Sequence, residues 1–340
     1  MAANERGCTQ IRPRYHFPLT PQRFIARSCY EPAEEELRFL PEGPRLLRNH
    51  PDGGTRLGWV AIQHAADAKT GSINVLDLVS GRNTSFPLPG RPGFFAETTE
   101  PGVVLVGLER RLAYFNLSTG VLKESGPVVT TDERVIINDG LAIDNGVLFG
   151  TKHLEFNQPI AALYFYDYAT RTVRTVIGRQ LCSNGKFLSR DADGATLIDI
   201  DSIPKTITRY RFDANLERLI SSALVAPPDS LPGYPDGLRP APDGESVIVA
   251  FYNPEPVANG NAQQIRLADG KVLCEWLIPG APRVTCPEFV FLEGEVKIIF
   301  TTAVEGMPAA TQRLAPASGA LFIANTPFQN TPAPPPLVPV

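Results

Sequence analysis

Three short stretches of this 340-residue chain set an Asn or Asp against a glycine: Asn138-Asp139-Gly140 in RVIINDGLAIDNGVLFGT, Asn184-Gly185 in CSNGKF and Asp236-Gly237 in YPDGLR. Any one of them alone describes a tight turn, because Asn and Asp bond their own backbone and glycine relieves the turn sterically. Asp139 fits that role as a turn cap. Their spacing carries more. Asn184 lies 46 residues after Asn138, and Asp236 lies 52 after Asn184. Two such steps back from Asn138 reach Glu42 in LPEGPRLL, and one step on from Asp236 reaches Thr285 in RVTCPEF. Residues repeated at one structural period can converge on one axis. Glu42, Asn138, Asn184 and Asp236 would then bring four oxygen donors together, two of them carboxylates. Converging carboxylates repel unless they are protonated or neutralised, and a hard divalent cation neutralises them well. Neutral amide oxygens beside them suit calcium, magnesium or manganese better than a thiolate site would.

The elements that must position these residues are strands. Runs such as GVVLVGL from Gly102, LAYFNL from Leu112, ALYFYDY from Ala162 and ESVIVAFY from Glu245 are rich in branched and aromatic residues, which pack well on a pleated surface. No 12-residue stretch combines a 3.6-residue apolar period with helix caps. One hairpin type recurs, in INVLDLVSGRNTSF, LAYFNLSTGVLKE, LYFYDYATRTVRTV, TRYRFDANLERLIS and QIRLADGKVLCEW. Its spacing is about that of a four-stranded propeller blade, roughly 40–50 residues. Residues 37–325 therefore form an all-β, six-bladed β-propeller with four-stranded blades around a central channel. Closure of the ring pairs the two chain ends in one blade, with GALFIANT near the C-terminus as one of its strands. Residues 1–36 stand apart as an N-terminal extension, able to wrap the rim or cover the cleft. Residues 326–340 form a proline-rich tail suited to the surface.

Composition removes several function classes. The formal charge is −4, from Lys+Arg 32 and Asp+Glu 36, and no run of five like charges marks a nucleic-acid footprint. No signal-peptide core and no 18-residue apolar run point to export or a membrane span. Five scattered cysteines without a CxxC pair fit thiols in a reducing, cytoplasmic setting. Cys182 and Cys286 are expected as buried structural thiols, and Trp59 and Trp276 as packing between blades. His16, His50 and His64 share no metal-ligand spacing. No glycine loop opens a helix to cradle phosphate, and nothing supports a Ser-His-Asp order.

LPEGPRLL, INDGLAIDNGVLFGT, SNGKF…LIDIDS, PDGLRPAPDGESVIVAFYNP and VLCEWLIPGAPRVTCPEFV…IIFTTA together resemble the regucalcin (senescence marker protein)/gluconolactonase family, in the family's order, over about residues 40–325. The resemblance implies one divalent metal at the top of the channel, held by Glu42, Asn184 and Asp236, with calcium the first expectation and Mg, Mn, Zn or Fe(II) as alternatives. It implies Asp236 as the catalytic base, Asn138 near metal-bound water or substrate, and Glu155 in contact with substrate hydroxyls. His153 is a further candidate for the substrate cleft. Two departures stand out. The family arginine two residues before Asn138 is Ile136 here, leaving Arg134 as the nearest substitute on the same strand face, and the family WVDI is WVAI, with Ala61 for the acid. The expected activity is a metal-dependent hydrolase that opens a small-molecule lactone. The alternatives are another reaction in the same metal pocket, such as phosphotriester hydrolysis or a biosynthetic tailoring step, or a non-catalytic propeller that binds metal or a protein.

Overall fold

The computed structural model describes residues 20–340; Cys8, His16 and the first part of the N-terminal extension lie outside them. Six antiparallel sheets follow one another along the chain. Blade 1 takes Pro41–Leu47, Arg56–Ala61, Gly71–Asp77 and Asn83–Leu88, and blade 2 takes Pro92–Glu97, Val103–Leu108, Arg111–Asn116 and Leu122–Lys123. Blade 3 takes Val135–Ile143, Gly146–His153, Ala161–Asp167 and Val173–Gln180, and blade 4 takes Ser183–Asp191, Gly194–Asp201, Thr206–Phe212 and Leu219–Leu224. Blade 5 is built on Tyr234–Pro240, Ser246–Tyr252, Asn259–Arg266 and Val272–Pro279, and blade 6 on Val284–Leu292, Glu295–Thr302 and Leu321–Asn325. The first strand of each blade packs against the first strands of both neighbours, blade 6 against blade 1 included, so these strands form a closed ring around the axis. The expected all-β, six-bladed propeller is the fold observed. Helix among the described residues amounts to Glu35–Arg38, Ala309–Leu314 and a short turn at Pro228–Ser230.

Closure uses the N-terminal stretch. Arg27–Tyr30 pairs antiparallel with Leu321–Asn325 and completes blade 6. Gln22–Ile25 adds a fifth, parallel strand to the outside of blade 5, alongside Val272–Pro279. Pairing both chain ends into the sheets covers edges that would otherwise be open to other strands. At the other terminus, Val338 forms a bridge to Thr98, its N–H donating to the Glu97 carbonyl at 2.9 Å. Thr331–Pro336 lie across the channel end opposite the candidate site, where the first strands of the blades finish.

Between the blades the strands bury their apolar faces. Val60, Ile73 and Val75 of blade 1 meet Phe95, Val104 and Phe115 of blade 2, and Trp276 of blade 5 packs with Phe289, Phe300 and Phe322 of blade 6. Each such side chain contributes roughly 1.5–3 kcal/mol on burial. Trp59 and Trp276 are fully buried, as packing residues should be, and both find acceptors: Trp276 Nε1 donates to the Asn325 carbonyl at 2.9 Å and Trp59 Nε1 to Asn83 Oδ1 at 3.3 Å.

Candidate functional site at one mouth of the channel

The repeated Asn/Asp-Gly corners are not turns. Each lies inside the innermost strand of a blade, at a β-bulge. Ile137 and Gly140 pair with Thr151 and Phe149, Ser183 and Lys186 with Asp201 and Asp199, Pro235 and Leu238 with Phe251 and Val249, and Glu42 and Arg45 with Val60 and Gly58. In every case the inner strand carries one residue more than its partner. Blades 2 and 6 repeat the bulge at Pro92–Phe94 and Val284–Cys286. A bulge re-aims the side chains it contains, and here it does so at six equivalent places around one axis. Four of them present Glu42, Asn138, Asn184 and Asp236. The glycines beside them serve the close approach of neighbouring inner strands. A Cβ on Gly185 would lie 2.4 Å from the Leu238 backbone nitrogen, and one on Gly237 would lie 2.4 Å from Cys286 Sγ. Turn and bulge make the same demand for a small residue beside a polar one, which is why the sequence pattern alone suggests the turn.

All four donors are nine-tenths buried or close to it, and none is fully sealed. Asn138 Nδ2 donates to the Ser183 carbonyl at 3.1 Å, and Asn184 Nδ2 donates to Ser202 Oγ at 3.1 Å. Both amides also reach Cys182 Sγ, at 3.7 and 3.9 Å. With the NH2 groups anchored outward, neither Oδ1 has a hydrogen bond among the described residues. Asp236 Oδ1 is buried with no partner among the described residues. Glu42 Oε2 accepts only from the Gly43 N–H, at 2.8 Å. Burial pushes the Glu42 carboxyl up to about 7, against the Gly43 hydrogen bond that pulls it down. Burial and the facing Glu42 charge push Asp236 well above the usual carboxylate range, with Lys152 opposing both shifts. Two buried carboxylates raised by burial, an orphaned carboxylate oxygen and two amide oxygens without donors form a donor set suited to a hard divalent cation. Among the described residues no three His, Cys, Asp or Glu side chains cluster as a metal site, so the set rests on its amides as much as its acids.

Supporting groups hold this arrangement. The Asp201 carboxylate accepts from the Cys182 N–H at 2.8 Å and from the Leu181 N–H, fixing the approach to Asn184. Ser183 Oγ and Gln180 Nε2 both donate to Asp199. Burial pushes the thiols of Cys182 and Cys286 up, which makes them inert packing groups as expected. Asp139 is not a turn cap alone. Its Oδ1 does accept from the Gly140 N–H, but its Oδ2 faces Lys186 Nζ at 3.2 Å inside the channel. Burial disfavours its charge, yet Lys186, Arg45 and Arg239 together hold its carboxyl below the usual range.

The remaining candidates are placed differently. Arg134 sits exposed on the rim, where it holds Asp132 Oδ2 at 2.6 Å and Gln158 Oε1 at 2.9 Å. Glu155 is exposed and accepts from Asn157 Nδ2 at 2.9 Å. His153 is buried; its Nδ1 accepts from the Glu155 N–H at 3.2 Å, and its Nε2 is buried without a partner among the described residues. Ile136, at the departed arginine position, is fully buried. The structure thus brings together Glu42, Asn138, Asn184 and Asp236 and leaves Arg134 and Glu155 outside that cluster. One residue the motifs do not flag joins it: Lys152, whose charge acts on both Glu42 and Asp236. Its signal in the sequence is a lysine within GVLFGTKH, a strand that is otherwise apolar or small up to its last residues. Spaces of about 730 and 480 Å3 lie at the outer edge of blade 2 and at the opposite channel end.

The chain matches the family described as SMP-30/Gluconolactonase/LRE-like region over residues 40–303. The chain belongs to that family. The SMP-30/gluconolactonase family match spans the four converging donors and all six bulges. Among curated proteins, an L-arabinolactonase from Azospirillum brasilense is 27% identical over 250 residues, 72% of this chain and 77% of that protein. Among solved structures, the calcium-binding protein regucalcin from Agrobacterium tumefaciens superposes with a TM-score of 0.75 at 19% identity, covering 94% of this chain and 99% of that one. A luciferin-regenerating enzyme superposes with a TM-score of 0.73 at 18% identity, covering 92% and 97%. The last two likenesses concern the propeller fold. The family as a whole is lactonase-like. No helix among the described residues is long and apolar enough to cross a membrane.

Proposed function

We propose that this protein is a metal-dependent lactonase, opening a small-molecule lactone to its hydroxy acid at the mouth lined by Glu42, Asn138, Asn184 and Asp236. One observation carries the reading: two buried carboxylates, both raised by burial and one of them further by the other, meet amide oxygens that lack donors among the described residues, and one carboxylate oxygen is orphaned. Glu42, Asn184 and Asp236 would hold a divalent cation, which when bound supplies Lewis-acid polarisation of the lactone carbonyl. Calcium is the first candidate, because regucalcin is described as calcium-binding and the donors are all oxygen. Asp236 receives the proton of the attacking water at a carboxylate oxygen. Water oxygen bonds to the carbonyl carbon, the ring C–O bond breaks, and that proton passes to the departing alkoxide. A cation-bound carboxylate is a weak base, so the burial of Asp236, which disfavours its charged form, would supply the basicity this step needs. Asn138, clamped through its NH2 to the Ser183 carbonyl, orients water or substrate through Oδ1 without adding charge. Ile136 in place of an arginine favours a less hydroxylated substrate than a free sugar lactone. The unpaired thiols of the described cysteines accord with a cytoplasmic setting.

A lactone panel followed with a pH indicator tests the reading. Wild-type protein should hydrolyse at least one sugar, aliphatic or aromatic lactone, and Asp236→Asn should lower kcat by roughly 10²–10⁴-fold. Unchanged turnover in Asp236→Asn would remove Asp236 as the base.

A further inference from the structure

Lys152 lies on the second strand of blade 3, directly across from Ile136 on the inner strand. It is 8% exposed, and among the described residues its ammonium makes no hydrogen bond and no ion pair. The other buried channel lysine is the opposite case. Lys186 Nζ is met by Asp139 Oδ2 at 3.2 Å and by the Asn184 carbonyl. Lys152 nevertheless overlooks the candidate site. It forms a backbone bridge to Cys182, whose Sγ the amides of both Asn138 and Asn184 reach, and its charge also acts on Glu42 and Asp236. Its stem is buried while its ammonium is not among the sealed polar atoms, so the charge is presented at the open mouth. Neither Glu42 nor Asp236 lies within ion-pair distance of it. Once a divalent cation takes up their two charges, the positive charge of Lys152 is left over at the mouth. An anionic group on a ligand entering the mouth would meet that charge.

We propose that Lys152 is a specificity-determining residue that binds a carboxylate on the substrate, so that the preferred substrates are lactones carrying a free carboxylate. The assignment rests on the lactonase reading above and deepens it. An ammonium is a compact point charge with three donors, suited to one carboxylate at the edge of a pocket. Ile136 beside it removes competing polar contacts and leaves the charge undiluted.

The test compares a five-membered lactone bearing a carboxylate with its carboxamide analogue, using the full-length, metal-loaded protein. Wild type should favour the carboxylate by roughly 10- to 100-fold in kcat/KM, mainly through KM, as a charge-assisted hydrogen bond predicts. Lys152→Met should collapse that ratio at least about tenfold, and Lys152→Arg should keep most of it. An equal ratio in wild type and Lys152→Met would overturn the assignment. A second readout separates this claim from the lactonase reading. Succinate binding, followed by calorimetry, should be roughly tenfold or more weaker in Lys152→Met whether or not any lactone is turned over. Succinate affinity that is absent in wild type, or identical in the two proteins, would also overturn it.

Discussion

The two halves of the central channel use the same residue types to opposite ends. In the lower half, every buried charge is answered. Arg239 Nε donates to Glu288 Oε2 at 2.9 Å and its terminal nitrogens to the carbonyls of Leu238 and Pro44 at 2.7 Å. Arg45 donates to the Gly140 carbonyl at 2.9 Å and lies 3.8 Å from Glu288, while Lys186 faces Asp139. In the upper mouth, among the described residues, Asp236 has an orphaned oxygen, Glu42 accepts a single backbone donor, and the Lys152 ammonium has no partner. Burial alone therefore does not separate a structural charge from a functional one. Satisfaction does, because an interior holds paired charges for cohesion, whereas unpaired ones persist only where something else completes them.

The contrast predicts opposite responses to charge removal. Glu288→Leu strands Arg239 and should destabilise the protein by about 3–5 kcal/mol in denaturant melts. Asp236→Asn, measured in chelated protein, should melt at or above wild type, since it removes one of two mutually repelling carboxylates. Comparable losses in the two variants would erase the distinction between the halves. A smaller effect comes from Asp199, whose carboxyl burial pushes to about 7. A folded-state value above the unfolded one favours the native state fully below the unfolded pKa of 3.8, and that contribution is lost as pH rises through about 7. Wild-type stability should thus fall from pH 5 to pH 8 by on the order of 2 kcal/mol more than that of Asp199→Asn, read from parallel melts. Matching pH profiles would contradict the assignment. Least of all should change with Arg134→Ala. Its guanidinium is engaged with Asp132 and Gln158 on the rim, so kcat/KM on any accepted lactone should stay within about twofold of wild type, as for most surface changes. A tenfold loss would bring the rim into the substrate site.

Much of this organisation is legible in the sequence because a ring of blades converts periodicity into convergence. Asn138, Asn184 and Asp236 recur at blade spacing, and Glu42 follows from the same step, so their meeting at one mouth is visible before any coordinates. What is not legible has physical reasons. A bulge and a turn both place a small residue beside an Asn or Asp, so the corners in SNGKF and YPDGLR cannot be told apart by composition. Gln22–Ile25 and Arg27–Tyr30 are four residues each, too short for alternation to declare them strands, and their partners lie some 250 or more residues away. The bulge at Pro92–Phe94 sits on the same lattice but carries no polar side chain to advertise it. Lys152 escapes because a lysine near a strand end ordinarily extends to solvent. Here it is buried instead, opposite Ile136 and bridged to Cys182 of the neighbouring segment.

The account stands most directly on metal restoration. Initial rates of lactone hydrolysis would be measured with chelated protein, before and after adding back Ca, Mg, Mn, Zn or Fe(II) one at a time. Turnover that is negligible after chelation and returns with an oxygen-preferring divalent cation, calcium first, is the predicted result. Equal rates with and without metal on the same lactone would contradict it.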